Sequence, residues 1–67
     1  MDREHVLRQI NAICENCKQH MENTETDWEK AFGAFSKLLK RYDSDPWVNQ
    51  QIQKAILKLE DFIREKG

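Results

Sequence analysis

The chain has 67 residues, of which 39% are hydrophobic and 34% are charged, and its 11 Lys and Arg against 12 Asp and Glu residues give a formal net charge of −1. It is too apolar to be disordered and too short for two hydrophobic cores, so we predict one domain spanning 1–67. The near-neutral charge lacks the basic excess that is typical of nucleic-acid-binding domains. Because a core of this size leaves only about 3–5 kcal/mol of net stability, small domains often rely on a partner subunit.

The sequence carries no sign of a secreted or membrane protein. Its first residues, MDREHVLRQ, are charged where a signal peptide would be apolar. No apolar run approaches the roughly 18–20 residues that a membrane helix needs. Two cysteines are too few for the disulfide framework of a small secreted domain. We therefore expect a cytoplasmic protein with reduced thiols and no contact with a membrane.

The first segment predicts a helix over about residues 2–22. Apolar residues from Val6 to Met21 recur there at steps of three and four, which is the spacing of one helix face. The second segment predicts a helix over about 27–43, whose apolar face is rich in aromatic residues. Its start is marked by the sequence TDWE, which fits the capping box S/T-x-x-E with Thr26 as the cap.

The third segment predicts a helix over about 45–65. Either Ser44 or Asp45 can cap it, and Pro46 is tolerated in a first turn because its missing N–H would have no partner there. Apolar residues again recur at helical spacing from Val48 onward.

Three amphipathic helices with short connections predict an all-α fold, a small up-down-up three-helix bundle. The same apolar pattern also fits helices paired between two chains, so the sequence leaves a homodimer open. The expected core consists of Val6, Ile10, Ile13, Cys17, Met21, Trp28, Phe32, Phe35, Leu39, Ile52, Leu59, and either Phe62 or Ile63.

Cys14, Cys17 and His20 form the one motif that resembles a metal or redox site. On a helix, Cys17 lies near the centre of the apolar stripe, Cys14 about 45° to one side, and His20 on the other flank. A zinc site needs about four converging ligands, and a reactive C-x-x-C pair belongs at a helix N-terminus. We therefore interpret both cysteines as core thiols and keep zinc binding as an alternative.

No sequence motif indicates an enzyme. The chain lacks a Gly-rich phosphate loop, a G-x-S-x-G nucleophile turn and an H-E-x-x-H metal motif. A bundle of this length also has little room for a substrate cleft. The sequence predicts a non-catalytic protein without a metal or another cofactor.

The outer face of the second helix is the main candidate for a partner-binding surface. Lys30, Lys37, Lys40 and Arg41 fall within about 100° of one another, and Gly33 lies among them. A solvent-facing glycine in mid-helix costs about 1 kcal/mol relative to alanine. This pattern favours close contact with an acidic protein or a second copy of the chain, although a charged outer face is also ordinary for a helix.

Two apolar residues outside the stripes are further candidates. Trp47 stands at the start of the third helix, where it can cover the end of the bundle or anchor a partner. Leu57 points away from the apolar stripe of the third helix, and single exposed leucines are common on protein surfaces.

The sequence thus predicts a small protein-protein interaction or regulatory module that acts through a helix face, as a monomer or a homodimer. A DNA-binding regulator is the first alternative, because Asn49, Gln50, Gln53 and Lys54 can contact bases or phosphates. The slightly negative net charge and the absence of glycine from the turn between the second and third helices argue against DNA binding. A zinc-binding module through the Cys14, Cys17 and His20 motif is the second alternative.

Overall fold

The computed structural model describes residues 2–66, apart from the side chain of Lys66, and these residues form three helices. They are α1 (Arg3–His20), α2 (Glu25–Arg41) and α3 (Pro46–Lys66). The helices run up, down and up in a bundle that measures 36 × 19 × 16 Å. The predicted all-α three-helix bundle is confirmed.

α1 begins one residue later and ends two residues earlier than the predicted span 2–22. Asp2 caps its start, because its carboxylate accepts a hydrogen bond from the His5 N–H at 3.2 Å. At the other end, Met21 is extended, with φ −94° and ψ 132°, and its side chain is buried. Leaving the helix there turns Met21 into the core and directs the chain toward α2.

α2 begins two residues before the predicted start, and its cap is Thr24 instead of the predicted Thr26. The Thr24 Oγ1 accepts a hydrogen bond from the Asp27 N–H at 3.2 Å. The Asp27 carboxylate accepts a hydrogen bond from the Glu22 N–H, two residues before the cap, at 2.9 Å. The prediction was wrong because Thr24 supplies the cap three residues before Asp27, whose carboxylate binds the chain that precedes the helix instead of the Thr24 N–H.

The turn between α2 and α3 is tight and well bonded. Asp43 and Ser44 both adopt left-handed backbone conformations, with φ of 54° and 56°. Their N–H groups bond to carbonyls in the last turn of α2, the arrangement of a Schellman cap. Asp45 is the cap of α3, since its Oδ1 accepts hydrogen bonds from the N–H groups of Trp47 and Val48.

The core has two parts along the bundle. The part near the α2–α3 turn consists of six buried residues: Val6, Ile10, Phe35, Leu38, Val48 and Ile52. The part near the α1–α2 connection consists of four: Met21, Ala31, Leu59 and Ile63.

The expected core is wrong at Phe32, which is 46% exposed. Of the alternatives at the end of α3, Ile63 is buried and Phe62 is 39% exposed, with the Lys18 Nζ 5.2 Å from the centre of its ring. Four other expected core residues are half-buried: Ile13, Cys17, Trp28 and Leu39. Three residues outside the expected set are buried: Ala31, Leu38 and Val48.

The three helix pairs pack unequally. α1 packs most closely on α3, less closely on α2, and α2 and α3 have the loosest contact. Open grooves therefore remain beside α2. Within the described part of the chain, no helix is long and apolar enough to cross a membrane.

Candidate functional site

A shallow groove between α1 and α2 contains the largest part of the predicted basic face. Two hollows of about 170 and 290 Å³ form it, and they are continuous because both are lined by Ile13 and Ala34. None of the α3 side chains that the structure describes lines either hollow. We refer to this feature as the α1–α2 groove.

The α2 side of the α1–α2 groove carries three cations. Lys30, Ala34, Lys37 and Arg41 follow one another at steps of four, three and four, so they share one face of the helix. Ala34 lies in the middle of this face and keeps the groove open between the long basic side chains.

The α1 side of the α1–α2 groove carries a mainly polar stripe. Gln9, Ala12, Asn16 and His20 line it at steps of three, four and four. Gln9 lines one end of the groove, and its Oε1 accepts a hydrogen bond from the Tyr42 hydroxyl at 3.3 Å. No acidic side chain from α1 opposes the cations of α2.

One carboxylate lies in the α1–α2 groove, beside the start of α2. Hydrogen bonds from the Glu22 N–H and with Thr24, together with the nearby charge of Lys30, hold the pKa of Asp27 below its usual range. Among the side chains of residues 2–65, the ion pairs join Arg8 to Glu4 and Lys18 to Glu15. Neither of these ion pairs involves Lys30, Lys37 or Arg41.

The structure divides the predicted basic face. Lys30, Lys37 and Arg41 line the α1–α2 groove, whereas Lys40 and Gly33 are exposed outside it. A Cβ built on Gly33 would meet no atom within 4 Å, so packing within the chain does not require glycine there.

Replacing Gly33 by alanine is expected to raise the free energy of unfolding by about 1 kcal/mol, because alanine has the higher helix propensity and the site is open. Urea denaturation followed by circular dichroism measures the change. Ser36→Ala, another exposed position on α2, is the control and should change stability by about 0.5 kcal/mol or less. A Gly33→Ala variant less stable than the parent would contradict this account of the helix.

The other two predicted partner-binding residues lie elsewhere. Trp47 is half-buried and packs against the core near the α2–α3 turn, with the Arg3 guanidinium 4.9 Å from the centre of its ring. Leu57 is 62% exposed on α3. Neither residue borders the α1–α2 groove.

The structure separates the members of the cysteine motif. Cys17 and His20 line the α1–α2 groove, whereas Cys14 lines a different groove between α1 and α3. Across the residues that the structure describes, no three His, Cys, Asp or Glu side chains are placed to hold a metal ion. The geometry therefore gives the zinc hypothesis no support.

Burial favours the protonated form of both thiols. Burial, with smaller contributions from Cys17 and Glu15, raises the pKa of Cys14, and burial together with Asp27 raises the pKa of Cys17. The pKa values of the thiols are higher in the folded chain than in the unfolded chain. Their contribution to the free energy of unfolding is therefore fully present at pH values below the pKa of the unfolded chain. That contribution is lost as the pH rises through the folded pKa values.

Alkylation of both thiols by iodoacetamide is expected to be slower in the folded protein than in guanidinium, with a pH midpoint shifted upward, because the thiolate is the reactive form. Mass spectrometry after timed quenching gives the rates, and Cys14→Ser and Cys17→Ser separate the two sites. Equal pH midpoints in the folded and unfolded chain would contradict the burial of these groups.

The residues of the DNA-binding alternative do not share one groove. Asn49 and Gln53 line the gap between α2 and α3, whereas Lys54 lines the gap between α1 and α3. Gln50 is exposed.

Comparisons with protein-family models, with curated proteins and with solved structures give no match. The candidate site therefore rests on the geometry of the chain itself. Sequence reasoning found the basic half of the α1–α2 groove but missed the α1 half. Its signal was present as a second stripe from Gln9 to His20, beside the apolar stripe of the same helix.

Proposed function

We propose that the protein is a non-catalytic interaction or regulatory module that binds an acidic helical segment of a partner protein in the α1–α2 groove. The observation that carries the proposal is the row of Lys30, Lys37 and Arg41 beside an apolar floor, three cations that form no ion pair with the side chains described for residues 2–65. A helix with small apolar residues on one face and carboxylates on its flank complements this arrangement.

The shape of the α1–α2 groove supports a macromolecular partner over a small ligand. Its two hollows are shallow and open to solvent, whereas small-molecule sites are clefts that enclose most of the ligand surface. Together they extend along three turns of α2, from Lys30 to Arg41, which matches the length of a short helix.

The proposal includes a cytoplasmic location. Both cysteines are free in the structure, and reduced thiols are typical of that compartment.

The test compares variants of the groove with matched variants outside it. Lys37→Glu combined with Arg41→Glu reverses two charges in the groove, and Lys40→Glu with Lys54→Glu reverses two exposed charges outside it. Each variant is immobilised as bait and exposed to an extract of the cells that produce the protein. The acidic segment of any retained protein is then synthesised as a peptide, and fluorescence anisotropy measures its affinity for each variant. We expect the groove variant to lose affinity by about tenfold or more and the outside variant to keep it.

Salt dependence and a DNA control complete the test. Affinity for the acidic segment should fall as salt concentration rises, because exposed charge pairs are screened. Equal affinity of the two double variants would overturn the proposal, and so would a bait that retains no acidic protein. Tighter salt-dependent binding to a DNA duplex than to any protein would replace it with the DNA-binding function.

A further inference from the structure

A second groove lies between α2 and α3, the pair of helices with the loosest contact. Two hollows of about 290 and 210 Å³ form it, and both are lined by Phe32. We refer to it as the α2–α3 groove. It shares no lining residue with the α1–α2 groove, so the two surfaces are independent.

The centre of the α2–α3 groove is aromatic. Phe32 is 46% exposed, and its ring centre lies 5.7 Å from that of Trp28. The Trp28 indole N–H donates a hydrogen bond to the Asn23 Oδ1 at 2.9 Å, which fixes this ring in position. Leu39 and Ile56 continue the apolar surface toward the α2–α3 turn. Exposed aromatic residues surrounded by apolar ones are typical of the centre of a protein interface.

The charges on the rim of the α2–α3 groove are self-complementary. Glu60 and Arg64 lie one turn apart on α3 and both line the groove. No ion pair joins them among the side chains described for residues 2–65. Among the described residues, the other polar side chains that line the groove carry no charge, so this part of the rim favours neither an acidic nor a basic partner. A partner with the same pair in reverse order satisfies both charges.

We propose that a second copy of the chain covers the α2–α3 groove in a twofold dimer. A twofold axis that passes between Glu60 and Arg64 brings Glu60 opposite Arg64 of the partner subunit. Phe32 lines the same hollow as these two residues, so its exposed ring packs beside the axis. Burial of the exposed ring removes apolar surface from water, which stabilises a chain whose own core is small. This inference does not depend on the proposed function, which uses the opposite side of α2.

Sedimentation equilibrium over a range of protein concentrations tests the dimer. We expect the parent chain to dimerise and Phe32→Glu to raise the dimer Kd by about tenfold or more, because a charge then lies in the apolar centre of the interface. Leu57→Glu is the matched control, since it places the same charge on an exposed position of α3 outside the groove, and should leave the Kd unchanged. Circular dichroism verifies that each variant is folded.

Exchange of the rim charges tests the twofold arrangement. Glu60→Arg and Arg64→Glu should each raise the Kd, because each places like charges opposite each other. The double variant Glu60→Arg/Arg64→Glu should restore it. A parent chain that stays monomeric at every concentration, a Phe32→Glu variant with the parent Kd, or a double variant no tighter than the single ones overturns the inference. Lys37→Glu/Arg41→Glu should leave the Kd unchanged, so failure of the dimer and failure of the proposed function are distinguishable.

Discussion

Replacing Phe35 by alanine is expected to lower the free energy of unfolding by about 3–5 kcal/mol. Phe35 is 2% exposed and belongs to the part of the core near the α2–α3 turn, where all three helices contribute side chains. The truncated side chain leaves a cavity that the surrounding residues fill only partly. Since a core of this size supplies only about 3–5 kcal/mol in total, most molecules of the variant should be unfolded. Circular dichroism and urea denaturation measure the loss.

Phe32→Ala is the matched control for this prediction. It removes the same atoms from the same helix, one turn before Phe35, but from a ring that is 46% exposed. The expected loss is about 1 kcal/mol, mainly from the contact with the Trp28 ring. Measurement at concentrations well below the dimer Kd removes any contribution from association. Equal losses in the two variants would contradict the assignment of Phe35 to the core and Phe32 to the surface.

The same two residues show how far helical periodicity predicts this fold. Steps of three and four identify an apolar stripe, and they predicted all three helices and most of the buried residues. The stripe of α2 is broad, however, and its buried edge depends on which neighbour packs closely. Because α2 packs more closely on α1 than on α3, Leu38 on the α1 side is buried and Phe32 on the α3 side is exposed. That inequality is a property of the packed bundle and cannot be read from one helix.

The sequence also predicted only part of the candidate site, namely its basic side on α2. Lys30, Lys37 and Arg41 lie on one helix, so the sequence alone could bring them together. The opposing stripe of α1 could not be matched to them, because the rotation of one helix against another depends on the side chains at their contact. Gly33 and Lys40 were grouped with these cations by angle, yet the structure leaves them outside the α1–α2 groove.

The two grooves beside α2 differ in the physical basis of recognition. The α1–α2 groove has an excess of positive charge, so its proposed partner is acidic and its binding should weaken with salt. The α2–α3 groove has a balanced rim around Phe32, so its proposed dimer should respond less to salt and more to loss of the ring. The chain can thus use one helix for both contacts, since they involve different faces of α2.

The second large effect is expected for Leu59→Ala, which should lower the free energy of unfolding by about 2–5 kcal/mol. Leu59 is 1% exposed and lies in the part of the core near the α1–α2 connection, beside Met21 and Ile63. That part has only four buried residues, so fewer neighbours can move to fill the cavity. Urea denaturation measures the loss. For two-state unfolding, the urea concentration at the midpoint should fall while the dependence of the free energy of unfolding on urea concentration stays constant.

Leu57→Ala provides the matched control on α3, since Leu57 is 62% exposed and two residues away. Its expected change is about 0.5 kcal/mol or less. The two substitutions remove the same atoms from one helix, so helix propensity contributes equally and the difference between them measures burial alone. If Leu59→Ala lost no more stability than Leu57→Ala, the face of α3 that packs against α1 would be wrongly assigned. A large loss in Leu59→Ala alone would establish that the smaller part of the core is as necessary for folding as the larger part around Phe35.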